Sequence, residues 1–131
     1  MKLLFAAEDT IVGIICGLLL IGLTGRFFSL KLDNVWYIIA FIVYIIVILM
    51  DFINEIRDLT THMGFIIFSL AHGFVDLIIA AAFLSHFSGW SIPYATEIFV
   101  PYLQNEAAIL WAGAFLVAGN VIWLILYPFL D

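Results

Sequence analysis

Four apolar stretches, at about 10–28, 34–53, 63–85 and 106–127, take up most of this chain, and each is long enough to cross a bilayer as a helix. A hydrocarbon core of ~30 Å needs about 20 apolar residues in helical form. The composition agrees: 66% of the 131 residues are hydrophobic and only 11% are charged, against about 25% charged in a soluble domain. The chain is therefore expected to be all-α, a single transmembrane domain spanning 1–131 and built as an integral membrane four-helix bundle with short loops. Membrane lipid is its first partner.

The third stretch is the unusual one, because an otherwise oily helix carries His72 and Asp76 in its middle. On a helix, Ser69, His72, Gly73, Asp76 and Ala80 fall at i, i+3, i+4, i+7 and i+11 and share one face. Counted from His62, His72 lies about 15 Å into the bilayer. An isolated charge at the bilayer centre costs about 2.5–3.5 kcal/mol on insertion scales, so these residues should face the bundle and be paired. His72 and Asp76 can pair within their own helix. Asn120, counted from the other side of the fourth stretch, reaches a similar depth, and Cys16 lies somewhat nearer one surface. The expected intramembrane polar site is thus His72, Asp76, Asn120, Ser69 and Cys16, serving either a proton relay or ion site or a polar contact that fixes helix register.

Small residues mark where helices can come close. Gly13 and Gly17 form GxxxG in the first stretch, Gly73 lies on the polar face of the third, and Gly113 belongs to a run of small residues in the fourth. These four are the candidate packing positions. The second stretch carries Tyr37, Tyr44 and Asp51 at intervals of seven, a stripe read as packing and not as redox chemistry. Asn34 and Asn105 are candidate N-caps for the second and fourth helices, and Thr60 or Thr61 for the third. Pro128 is expected to stop the fourth.

The segment at about 87–104 holds Trp90, Pro93, Tyr94, Pro101 and Tyr102 without a Lys or Arg. Two prolines break a long helix and the aromatics suit the headgroup region, so it should be an interfacial loop or short surface helix. At the other end of the bundle, Lys2 and Leu3 to Ala7 resemble the start of a signal peptide, but Glu8 and Asp9 cut the apolar run. That segment is read as a lead-in to the first span. Basic residues divide evenly between the two sides, Lys2 and Arg57 against Arg26 and Lys31; the charges flanking the first span favour an outward N-terminus.

Ten acidic and four basic residues give a net charge of -6, which argues against a nucleic-acid partner and favours cations. Glu8, Asp9, Asp51, Glu55, Asp58 and Asp131 gather at one membrane face. Within that group Asp51, Glu55, Asp58 and His62 have spacing and chemistry suited to a divalent metal or other cation. A single cysteine excludes an internal disulfide and a CxxC pair. All three histidines lie within 62–86, so one copy of the chain cannot clamp a haem between histidines on facing helices. There is no GxSxG, HExxH, Walker loop or GxGxxG, and no catalytic set can be assembled.

Two functions fit. The leading expectation is a small non-catalytic subunit of a multi-subunit membrane complex, packing against other integral membrane subunits through its Gly/Ala faces. The alternative is a proton- or cation-translocating protein with an acidic mouth and the His72–Asp76 pair inside. A metal-dependent membrane enzyme is a third and weaker reading.

Overall fold

A computed structural model describes residues 2–57 and 63–130, with side chains placed for 10–53, 67, 70–103 and 105–125. Four long helices follow one another: α1 (Lys2–Thr24), α2 (Asn34–Arg57), α3 (Met63–Ser88) and α4 (Glu106–Leu130). No strand occurs among the described residues. The protein is an all-helical bundle. Asn34–Ile53, Leu70–Ser88 and Glu106–Ile125 are each long and apolar enough to cross a membrane, and α1 supplies a shorter apolar stretch, Thr10–Thr24. A membrane protein follows from those lengths.

Consecutive helices run antiparallel, as short connections require. Tyr37 stacks on Phe87 at 4.7 Å, Phe41 on Phe83 at 5.6 Å, and Phe52 lies against Gly73, so the residue numbers of α2 and α3 run oppositely. The most extensive pairing, however, joins α1 to α4, and of the consecutive helices α3 and α4 touch least. Gly17 and Gly113 set the first of these contacts. A Cβ built on Gly17 would lie 2.7 Å from the Gly113 carbonyl oxygen, and one on Gly113 would lie 2.9 Å from the Gly17 oxygen. The two backbones meet with no room for a side chain, the close approach that small residues allow in membrane helices.

Several boundaries differ from the hydropathy reading. α1 begins at Lys2 and carries Glu8 and Asp9 inside it, so the lead-in 2–9 is helical and continuous with the span; two carboxylates interrupt an apolar run without breaking backbone hydrogen bonds. It stops at Thr24 and not at 28 because Gly25 takes φ 72, the left-handed turn that ends many helices. Gly89, at φ 77, closes α3 in the same way. α2 runs past its apolar end to Arg57, and α3 continues to Ser88 instead of 85. α4 passes through Pro128 to Leu130: proline so near the end of a helix removes only one bond from its final turn. Asn105 does cap α4, its Oδ1 accepting from the Ala107 N–H at 3.0 Å. Thr60 and Thr61 lie outside the described residues.

The segment between α3 and α4 folds into two single helical turns, η1 (Ala95–Phe99) and η2 (Val100–Gln104). They pack on the end of α3 through hydroxyls. Ser85 Oγ donates to the Trp90 carbonyl at 2.7 Å and lies 2.6 Å from Thr96 Oγ1, which accepts from the Ile92 N–H at 2.8 Å. On the same side of the bundle the Tyr37 hydroxyl donates to the Leu30 carbonyl and accepts from the Leu32 N–H, both at 3.2 Å, tying the first loop to α2.

Candidate functional site

The polar face of α3 turns into the bundle, not toward lipid. Asp76 is 1% exposed, and Asn120, Tyr44 and Thr10 are fully buried. His72 Nδ1 lies 3.5 Å from Asp76 Oδ2 one helical turn away. The imidazole is held from α4: it stacks on the Trp123 indole, ring centroids 5.3 Å apart and planes 15° from parallel.

Asn120 approaches from α4. Its Nδ2 donates to the Leu116 carbonyl at 2.6 Å and to the Tyr44 hydroxyl at 3.4 Å, which fixes the amide with its oxygen pointing the other way. Tyr44 reaches in from α2 and also lies beside the Asp76 carboxyl, although neither carboxylate oxygen makes a full hydrogen bond with a described group. Accepting from Asn120 leaves the phenol's own proton for that side. α1 contributes space. A Cβ built on Gly13 would collide with the Asn120 amide and would lie 2.8 Å from the Tyr44 oxygen.

All four helices therefore converge on one buried polar cluster. Its chemistry is lopsided. Among the described residues, Asp76 Oδ1 and Oδ2, Asn120 Oδ1 and His72 Nε2 are buried without a hydrogen-bond partner. Three of these atoms are oxygens that can only accept while the carboxylate is ionised. Buried acceptors left unmatched are costly in a low-dielectric interior, and a proton or a cation is what they recruit.

Of the five residues in the expected polar site, the fold brings His72, Asp76 and Asn120 together. Cys16 is turned elsewhere: its thiol donates to the Ala40 carbonyl at 3.6 Å, a contact of α1 with the α2 backbone. The side chain of Ser69 lies outside those described. Tyr44 is the residue the sequence reading assigned to packing and the fold places in the cluster. Only its helical register with Asp51 set it apart, and that register does not show which helix it faces. Trp123 lies three residues past Asn120, on the same side of α4, and nothing in that spacing signals that it would clamp an imidazole. Gly13, Gly17 and Gly113 are spent within the bundle, and Gly73 gives room to the Phe52 ring, 2.5 Å from where its Cβ would be.

For the acidic set, Asp58 and His62 lie outside the described residues and the Glu55 side chain is not among those described. Asp51 is half-buried near the end of α2. Among the described residues no three His, Cys, Asp or Glu side chains are grouped to hold a metal. No protein-family model, curated protein or solved structure matches this chain, so function must be argued from the cluster.

Proposed function

We propose that the chain is a multi-pass membrane protein, crossing the bilayer four times, that binds and translocates a proton or small cation at His72 and Asp76. One observation carries the reading: a carboxylate at 1% exposure sits beside His72 of its own helix and the Tyr44 phenol of α2, and among the described residues neither its oxygens nor Asn120 Oδ1 of α4 has a full hydrogen-bond partner. Intramembrane ionisable groups arranged this way mark ion and proton pathways. The acidic end supports it too. The antiparallel order puts the start of α1 with Glu8 and Asp9, the end of α2 with Asp51 and Glu55, and the start of α3 on one side, and His72 is about 14 Å along α3 from that side. With the N-terminus outside, this mouth would collect cations from the exterior.

Flux in reconstituted vesicles tests the reading. His72→Ala and Asp76→Asn should abolish it while the protein still assembles, and unchanged flux in both variants would sink it.

The non-catalytic subunit is the second reading. It is favoured by the thin contact between α3 and α4, flanked by exposed Phe74, Val75 and Ile122, where a partner helix could lie. It ranks below transport because the glycines that motivated it are consumed by contacts within the bundle. Extraction from native membranes in mild detergent separates the two: a stoichiometric complex with other proteins supports the subunit, whereas a clean monomer or homo-oligomer opposes it.

A further inference from the structure

We infer that the end of the bundle closed by the segment between α3 and α4 is a lipid-headgroup surface, and that it takes the headgroup layer of a zwitterionic phospholipid leaflet, engaged through its ammonium groups. The inference requires a membrane protein and is independent of transport.

The segment has two faces. Trp90, Tyr94, Ile98 and Tyr102 recur every four residues and are all exposed, the two tyrosines at 75% and 71%. Ala95 and Leu103 are buried on the inner side. The Ser85 and Thr96 hydroxyls hold the backbone down, and the Thr96 and Ile98 N–H groups donate to the Ile92 and Tyr94 carbonyls at 3.1 and 3.0 Å. Backbone bonds made inward and aromatic side chains turned outward suit the boundary between water and hydrocarbon. α3 and α4 are both long and apolar enough to cross a membrane, so the segment joining them lies at that boundary.

Tyr94 occupies a strained position. Its φ is 66 and its ψ -40, with the Ala95 N–H donating to the Pro93 carbonyl at 2.8 Å around it. This is the γ-turn that residues with a side chain seldom adopt. Glycine would make the same turn without strain, so what the phenol contributes lies outside the protein.

The aromatic surface continues onto the neighbouring helices. Trp36 and Trp111 are exposed near the starts of α2 and α4, at the same end of the bundle. Among the described side chains every exposed Trp and Tyr belongs to this end, whereas Ile53, Ile67 and Ile125, exposed toward the other, are aliphatic.

Charge decides which leaflet fits. Arg26 and Lys31 are the basic residues of the two connections at this end, and Arg26 lies 3.6 Å from Glu106. Asp33, Glu97 and Glu106 outnumber them, and Glu97 is exposed between Tyr94 and Ile98. Anionic lipid is held by clusters of Lys and Arg, which these connections lack. Aromatic faces beside a carboxylate attract an ammonium instead.

The test places the full chain in nanodiscs of equal phosphatidylcholine and phosphatidylglycerol, with bromines high on the acyl chains of one lipid or the other. Quenching of tryptophan emission reads the lipid beside Trp36, Trp90 and Trp111. Brominated phosphatidylcholine should quench the wild type about two- to fivefold more, the range of cation–π contacts at exposed sites. Glu97→Lys should bring the two lipids to parity or reverse them, while Glu8→Lys, the same charge change at the opposite end, should leave the wild-type ratio. Tyr94→Gly should reduce the ratio without lowering the detergent melting temperature, because it removes the phenol and relieves the turn. Equal quenching in the wild type, a preference for phosphatidylglycerol, or no quenching by either lipid would overturn the inference. So would a full wild-type ratio in both Glu97→Lys and Tyr94→Gly.

Discussion

The Asn120 carboxamide occupies the space that a side chain at Gly13 would need. α1 thereby shapes the polar cluster without giving it a polar group at that level. Gly13→Ala should displace Asn120 and Tyr44 together, costing about 1–3 kcal/mol as overpacking does. Flux should fall with stability, and unfolding followed by tryptophan fluorescence in detergent against flux in vesicles checks both.

Asp76→Asn separates charge from shape. The amide keeps the volume and can donate a hydrogen bond, so a buried carboxylate is removed without a cavity. Stability should hold or rise, since a buried charge contributes little net stabilisation and an unmatched one destabilises. Transport should vanish. A melting temperature below that of wild type would contradict the argument.

Gly113→Val tests the backbone contact between α1 and α4. The added side chain meets the Ile21 side chain and the Gly17 carbonyl, and the carbonyl cannot step aside without moving a helix. A loss of about 1–3 kcal/mol is expected, measured as a shift in the midpoint of denaturation in mixed micelles. Gly73→Ala should cost less, because the atoms it meets belong to the Phe52 ring, a side chain that can rotate.

Ser85→Ala removes the hydroxyl that joins α3 to the connecting segment at Trp90 and Thr96. About 1 kcal/mol should be lost, localised to 90–96, where amide exchange should accelerate while the cluster around Asp76 keeps its protection. By contrast, Arg26 and Glu106, 3.6 Å apart and more than half exposed, form a surface pair. Neutralising either should change stability by less than about 1 kcal/mol, screened further by salt.

Much of this architecture could be read from the residues, for physical reasons. Apolar length fixes the helices, because a membrane segment must satisfy its own backbone. The Asn105 cap was equally plain, a side-chain oxygen placed just ahead of a long apolar run. The inward face of α3 followed from the expense of exposing Asp76 to lipid, and Asn120 joined it by depth alone. Depth failed for Cys16 because a shared level says nothing of rotation about the helix axis. Tyr44 escaped for a related reason: periodicity names a face, and only packing decides what that face meets. α1 reaches back to Lys2 and α4 on to Leu130, outside the apolar spans, because hydropathy tracks lipid contact, whereas hydrogen bonding carries a helix beyond it.

The pairing of α1 with α4 has a consequence for how the protein is made. α1 leaves the ribosome before the other three helices and must wait for α4, the last of the four, before its glycine surface is covered, so its best contact is also the most distant of the three along this stretch of chain. Until then Tyr44 lacks Asn120, His72 lacks Trp123, and Asp76 stands in an unfinished membrane intermediate with one wall missing. Quality-control proteases that recognise exposed intramembrane charge would find their signal in every chain truncated before α4, and would lose it when translation of that helix is complete.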